Sequence, residues 1–175
     1  MDMRRAQAGF TLIELLVVVL IVGILMALGI PQYTRTIESA KADTAAAPVK
    51  MIGQANRMYK LDNPFYASGR LQDSCNNSAQ TCSGAIGACK LVACKYLASQ
   101  KWDWLDYIYY AGDPAASDPC GLGATRVAAC AKRCAGSSPC TTNPKYSSWG
   151  YSMDEDGVMK NHYADSSSAS PTPPN

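Results

Sequence analysis

Eight cysteines, one histidine and a short acidic run are the residues of this chain with the most chemistry to offer. The cysteines are Cys75, Cys82, Cys89, Cys94, Cys120, Cys130, Cys134 and Cys140, so all of them fall in the middle of the sequence. Their density is that of a disulfide scaffold, and their even number suits full pairing. Such density persists in oxidising compartments. Zinc is the rival reading, but no C-x-x-C spacing occurs and His162 lies far from the cysteines in sequence. Disulfides are therefore expected, with the pairing open. Asp154-Glu155-Asp156-Gly157 gathers hard oxygen ligands of the kind calcium takes. Asp154 and Asp156 are the calcium candidates. The run lacks the spacing of an EF-hand loop, however, and Asp156-Gly157 is also a good hairpin turn. No other cofactor is expected. A lone histidine argues against a Ser–His or Cys–His nucleophile, and no phosphate-binding glycine loop is present. The chain is thus expected not to be an enzyme. Its net charge of +2 is too small to mark nucleic acid as a primary partner.

The fourth feature is Glu14, set inside the apolar run from Phe10 to Ile30. As a helix that run rises about 31 Å, close to the thickness of a hydrocarbon core. Arg4 and Arg5 before it would hold the N-terminus in the cytoplasm, which puts the cysteines on the oxidising side. The run is too long for the apolar region of a secretory signal, and Pro31-Gln32-Tyr33 does not look like a cleavage site. An ionisable group within such a span is costly and marks function by default.

The residues Gly9-Phe10-Thr11-Leu12-Ile13-Glu14-Leu15-Leu16-Val17-Val18-Val19, continued by Gly23, Pro31 and Tyr33, resemble the prepilin signature of type IV pilins and type II secretion pseudopilins. The resemblance covers about residues 1–60. It implies that a prepilin peptidase cuts between Gly9 and Phe10 and methylates the new amine of Phe10. It also implies that Glu14 pairs with the N-terminal amine of a neighbouring subunit during assembly. Two unit charges ~4 Å apart attract by roughly 4 kcal/mol at an effective dielectric of 20, less the cost of desolvation. Gly23, Gly29 and Pro31 form a weak helical stretch, and in pilus filaments of this family the corresponding stretch unwinds. In the same family, secretion pseudopilins of the major type bind calcium in a C-terminal loop.

The expected fold is α+β: a long N-terminal helix packed on a small antiparallel sheet with disulfide-stapled loops. The expected divisions are a leader at 1–9, an apolar transmembrane and assembly helix at 10–31, an amphipathic half-helix at 32–62, a cysteine-rich head at 63–164 and a disordered Ser/Pro tail at 165–175. Tyr33, Ile37, Ala40, Thr44, Ala47, Met51, Ala55, Met58 and Tyr59 recur near a helical period and predict the face that packs on the head. Pro48 predicts a bend. Trp102–Tyr110 reads as a strand with Trp102, Trp104, Ile108 and Tyr110 on one face. Residues 148–153 and 158–163 read as a hairpin. Ala85–Ala98 reads as a short helix on which Cys89 and Cys94 face different ways and take different partners. Val127–Ala135 reads as a helical turn with Cys130 and Cys134 on one face.

The expected function is a structural subunit of an extracellular type IV pilus filament, a fimbrium of the kind used in adhesion, motility or DNA uptake. One alternative is a pseudopilin of a periplasmic secretion pseudopilus. Another is a monomeric, membrane-anchored binding module. The expected partners are identical or related subunits, the prepilin peptidase, an inner-membrane assembly platform and lipid before assembly. The expected location is the inner membrane, then the extracellular fibre.

Overall fold

The computed structural model describes residues 11–77, 81–82, 87–102, 106–133 and 149–163. The leader, Phe10, Trp104, Cys134, Cys140 and the Ser/Pro tail lie outside these residues. The architecture is α+β. Helix α1 spans Leu12–Asp62, and five strands form one antiparallel sheet in the order β1-β2-β3-β4-β5. The strands are β1 (Gly69–Arg70), β2 (Tyr107–Ala111), β3 (Val127–Arg133), β4 (Trp149–Asp154) and β5 (Met159–Tyr163). The chain divides into two compact units at Glu38/Ser39.

Within the first unit, α1 runs on through Pro31, and within the second through Pro48, where a bend was expected. A proline removes one N–H and crowds one carbonyl. The neighbouring i→i−4 bonds are enough to keep this helix continuous.

In the second unit, the face of α1 that enters the core carries Ala42, Ala45, Val49, Ile52, Asn56 and Tyr59, with Ala55 beside it. This corrects the sequence expectation. Thr44, Ala47, Met51 and Met58 are exposed, and only Ala55 and Tyr59 of the expected residues in this unit are buried. The apolar periodicity was misread because the true stripe is built mostly from small residues and contains an asparagine. Small residues let the sheet come close: a Cβ on Gly53 would lie 2.6 Å from the Met153 sulfur.

Strand β2 keeps Ile108 and Tyr110 on one face, as expected, but begins only at Tyr107. Tyr107, Tyr109 and Ala111 face the core, while Ile108 and Tyr110 are half-buried on the other side. Trp102 is buried in the preceding loop, where its backbone N–H donates to Asp73 Oδ1 at 2.6 Å and its ring meets Tyr109 edge-on. Val127–Arg133 is a central strand rather than a helical turn. A short apolar run rich in alanine carries no period of its own, and here both faces are covered. Ala129 and Ala131 enter the main core, while Val127 and Cys130 join Cys120 and Leu122 in a smaller cluster on the far face. The expected hairpin forms as β4 and β5, with Met153 opposite Met159.

The expected helix at 85–98 is reduced to α2, Lys90–Ala93. Lys95 ends it by adopting a left-handed conformation at φ 67°, and Leu97 N–H closes back on Leu91 O at 2.9 Å. Cys89 and Cys94 flank α2 and do take different partners. The described disulfides are Cys75–Cys89, Cys82–Cys94 and Cys120–Cys130.

One buried polar side chain ties this core together. Asn56 is fully buried, and its Nδ2 donates to Ala67 O at 3.0 Å, Gly112 O at 2.9 Å and Ala128 O at 2.9 Å. Its Oδ1 accepts from Ala67 N–H at 2.9 Å. Ala128 is the extra residue of a bulge in β3, where the pairing steps from Val127–Asp154 to Ala129–Met153. Gly112 permits the close approach, since a Cβ there would lie 2.4 Å from Val127 O.

Candidate assembly site

The first turn of α1 sets the geometry of Glu14. Thr11 precedes the helix, and Thr-x-x-Glu is the pattern of a capping box. Glu14 N–H donates to Thr11 Oγ1 at 3.3 Å. In return Glu14 Oε2 accepts from Thr11 N–H at 2.9 Å and from the Thr11 hydroxyl at 2.8 Å. Otherwise orphaned donors at the helix start are thereby satisfied. The carboxylate is folded back toward the N-terminal end of its own helix. Thr11 was not singled out as a partner of Glu14 in the sequence, although the pattern was there to read.

Beyond this turn the helix surface is apolar and open. Leu12 is 82% exposed and Ile13 69%, and the large side chains from Leu15 to Ile30 are exposed with them. An 18-residue window reaches a mean hydropathy of 3.0, so α1 is long and apolar enough to cross a membrane by length and composition. Gly23 and Gly29 lie within the helix with open space where a Cβ would be. Gly29 lines a shallow apolar groove with Val22, Leu25, Met26, Ile30 and Tyr33. Such a surface is costly to leave in water and calls for lipid or protein cover.

The other sequence candidates are placed elsewhere. Gly9 and Phe10 lie outside the described residues. Asp154 and Asp156 sit at the β4–β5 turn, beside Lys160 and Arg126 respectively. Among the described residues, one cluster of would-be metal ligands occurs, Asp118, Cys120 and Cys130. Its two sulfurs are joined in a disulfide, and Asp118 accepts backbone N–H groups from Cys120, Leu122 and Ala124. His162 pairs through Nε2 with Ser152 Oγ at 2.6 Å. Ser152 is buried and His162 half-buried.

Burial lowers the His162 pKa, with Lys160 acting in the same direction and Asp118 opposing. The unfolded chain therefore binds the proton more readily. Stability should rise with pH across the interval between the lowered folded value and the ordinary value of about 6.5. It should fall as acid is added through that interval. Thermal melts across this range should show the slope, and His162→Gln should flatten it. Equal slopes for both proteins would rule out His162 as its source.

Residues 4–30 match the family model described as the prokaryotic N-terminal methylation motif. The chain is also similar to the type II secretion system core protein G of several bacteria. Identity is 52% over 65 residues with the Pseudomonas aeruginosa protein, covering 37% of this chain and 46% of that one. It is 41% over 63 residues with that of Aeromonas hydrophila, covering 36% and 44%. It is 41% over 66 residues with that of Vibrio cholerae, covering 38% and 45%. The match thus spans less than half the length of each relative. No solved structure matches the chain. The N-terminal third thus carries the methylation motif and is similar to the matching stretch of these relatives.

Proposed function

We propose that the chain is a structural subunit, not an enzyme, that polymerises into a type II secretion pseudopilus. The observation that carries this reading is the 52% identity to a core protein G over a stretch of 65 residues. The surface-pilus reading has its own support in the disulfide-stapled head, which suits an exposed fibre. The relatives favour the secretion alternative. In that alternative α1 is held in the inner membrane before assembly, with the head in the periplasm. A prepilin peptidase cuts between Gly9 and Phe10 and methylates Phe10. The exposed apolar half of α1 then exchanges lipid for neighbouring subunits, and Glu14 leaves Thr11 to meet the amine of the next Phe10. No calcium or other cofactor is needed for these steps.

Mass spectrometry of the N-terminal peptide, on membranes and on a sheared extracellular fraction, tests the proposal. N-methyl-Phe10 confined to membranes is the expected result. The same peptide in the sheared fraction would instead establish a surface pilus, and an intact Met1 terminus would leave a simple anchor. Glu14→Val should be cut and methylated normally yet enter the polymer poorly. A hydrogen bond to a charged group contributes about 1.5–3 kcal/mol, so the loss should be roughly ten- to a hundredfold. Crosslinked multimers at normal yield from this variant would overturn the role of Glu14.

A further inference from the structure

The β4–β5 turn is where the family resemblance implies calcium, and its residues do not fit that ion. Calcium needs about 6–8 oxygen ligands. Here each acidic side chain already has protein donors. Asp154 Oδ1 accepts from the N–H groups of Asp156 at 3.1 Å and Val158 at 2.9 Å. Asp154 Oδ2 faces Lys160 Nζ at 3.5 Å. Glu155 Oε1 receives both Nε and Nη2 of Arg126. Asp156 Oδ2 lies 3.4 Å from Arg126 Nη1. The Arg57 guanidinium lies beside the turn, with Nη1 2.7 Å from where a Cβ on Gly157 would sit. Gly157 itself has φ 88°, a conformation that calls for glycine.

We propose that Arg126 takes the place of a divalent cation at this turn, so that the head closes it without calcium. Arg126 is well held for the task. Its backbone is left-handed at φ 56°, and its carbonyl accepts from Glu155 N–H at 3.1 Å. A planar guanidinium with several fixed donors can engage two carboxylates at once, which is the bridging a metal ion would otherwise supply. Arg126 and Lys160 set two positive charges against Asp154, Glu155 and Asp156, and the Arg57 guanidinium lies beside Gly157. A divalent ion entering here would have to displace an arginine that cannot lose its proton. The charges also support each other. Glu155 raises the Arg126 pKa, and although burial works against ionised Asp154, the N–H groups of Val158 and Asp156 with Lys160 hold its carboxyl below the usual range. This inference concerns how the head is stabilised and stands whether or not the chain enters a pseudopilus.

Thermal unfolding of the full chain in detergent, with calcium chloride or with EDTA, provides the test. The wild type should melt at the same temperature in both. Arg126→Gln keeps a long polar side chain but leaves the acids uncompensated. It should melt several degrees lower in EDTA. Added calcium, or the further changes Glu155→Gln and Asp156→Asn, should restore the melting temperature. A wild-type melt that rises with calcium would overturn the proposal. So would an Arg126→Gln protein that melts like the wild type, or one whose deficit neither calcium nor removal of the acids repairs.

Discussion

Replacing Asn56 by alanine is expected to destabilise the head by about 3–5 kcal/mol, an effect as large as truncating a buried aromatic side chain. The substitution leaves Ala67 N–H, Ala67 O and Gly112 O without their partner in a dry interior. Each such orphan costs about 1–3 kcal/mol. Ala128 O keeps the N–H of Gly112 at 3.0 Å and loses less. Asn56→Asp sharpens the experiment, because it keeps the shape but removes the donors. A carboxylate would face three carbonyl oxygens, so this variant should be at least as unstable as the alanine one. Urea denaturation of the purified chain, followed by tryptophan fluorescence, reads both. An Asn56→Asp protein of wild-type stability would show that the three carbonyls do not depend on Nδ2.

The second large effect is expected at the interlaced pair of disulfides around α2. Cys75 and Cys89 are separated by 14 positions and Cys82 and Cys94 by 12, and the two bridges cross in sequence. Among the described residues of this region, the regular structure is α2, four residues long, and a short 3-10 turn at Asp73–Asn76. Leu71, Leu91 and Leu97 nevertheless enter the main core from it. Replacing Cys75 and Cys89 together by serine opens a loop whose closure contributes about 3 kcal/mol. Buried Cys75 would also leave a hydroxyl in an apolar setting. The double variant should unfold at a clearly lower denaturant concentration, with its first protease cuts between residues 71 and 97. An unchanged midpoint would mean that packing alone holds the segment.

Much of the N-terminal half was legible because its physics is local. An apolar run of membrane length has few alternatives to a helix, and Thr11-x-x-Glu14 caps itself within one turn. The C-terminal hairpin was legible for a similar reason: Asp156-Gly157 specifies a tight reversal between two strand-like runs. The even cysteine count called for disulfides, and the predicted divergence of Cys89 and Cys94 required only the geometry of one helical turn.

The rest depended on contacts distant in sequence. Val127–Arg133 is an alanine-rich run that suits helix or strand, and only pairing with β2 and β4 on its two sides makes it the centre of a sheet. Which face of β2 turns inward was not fixed by the sequence, because large apolar or aromatic residues stand on both. The core stripe of α1 was hidden by Asn56, whose partners at residues 67, 112 and 128 no local pattern reveals. Arg126 is likewise an unremarked surface cation in the sequence, and only the return of β4 and β5 brings Glu155 and Asp156 to it. The sequence by itself determined the membrane-length helix, its capped glutamate and the oxidised character of the head, because each follows from composition or from residues within a turn of one another. The tertiary structure decided which faces are buried, which cysteines join and what neutralises the acidic turn, because those depend on burial and hydrogen bonds between segments that meet only after folding.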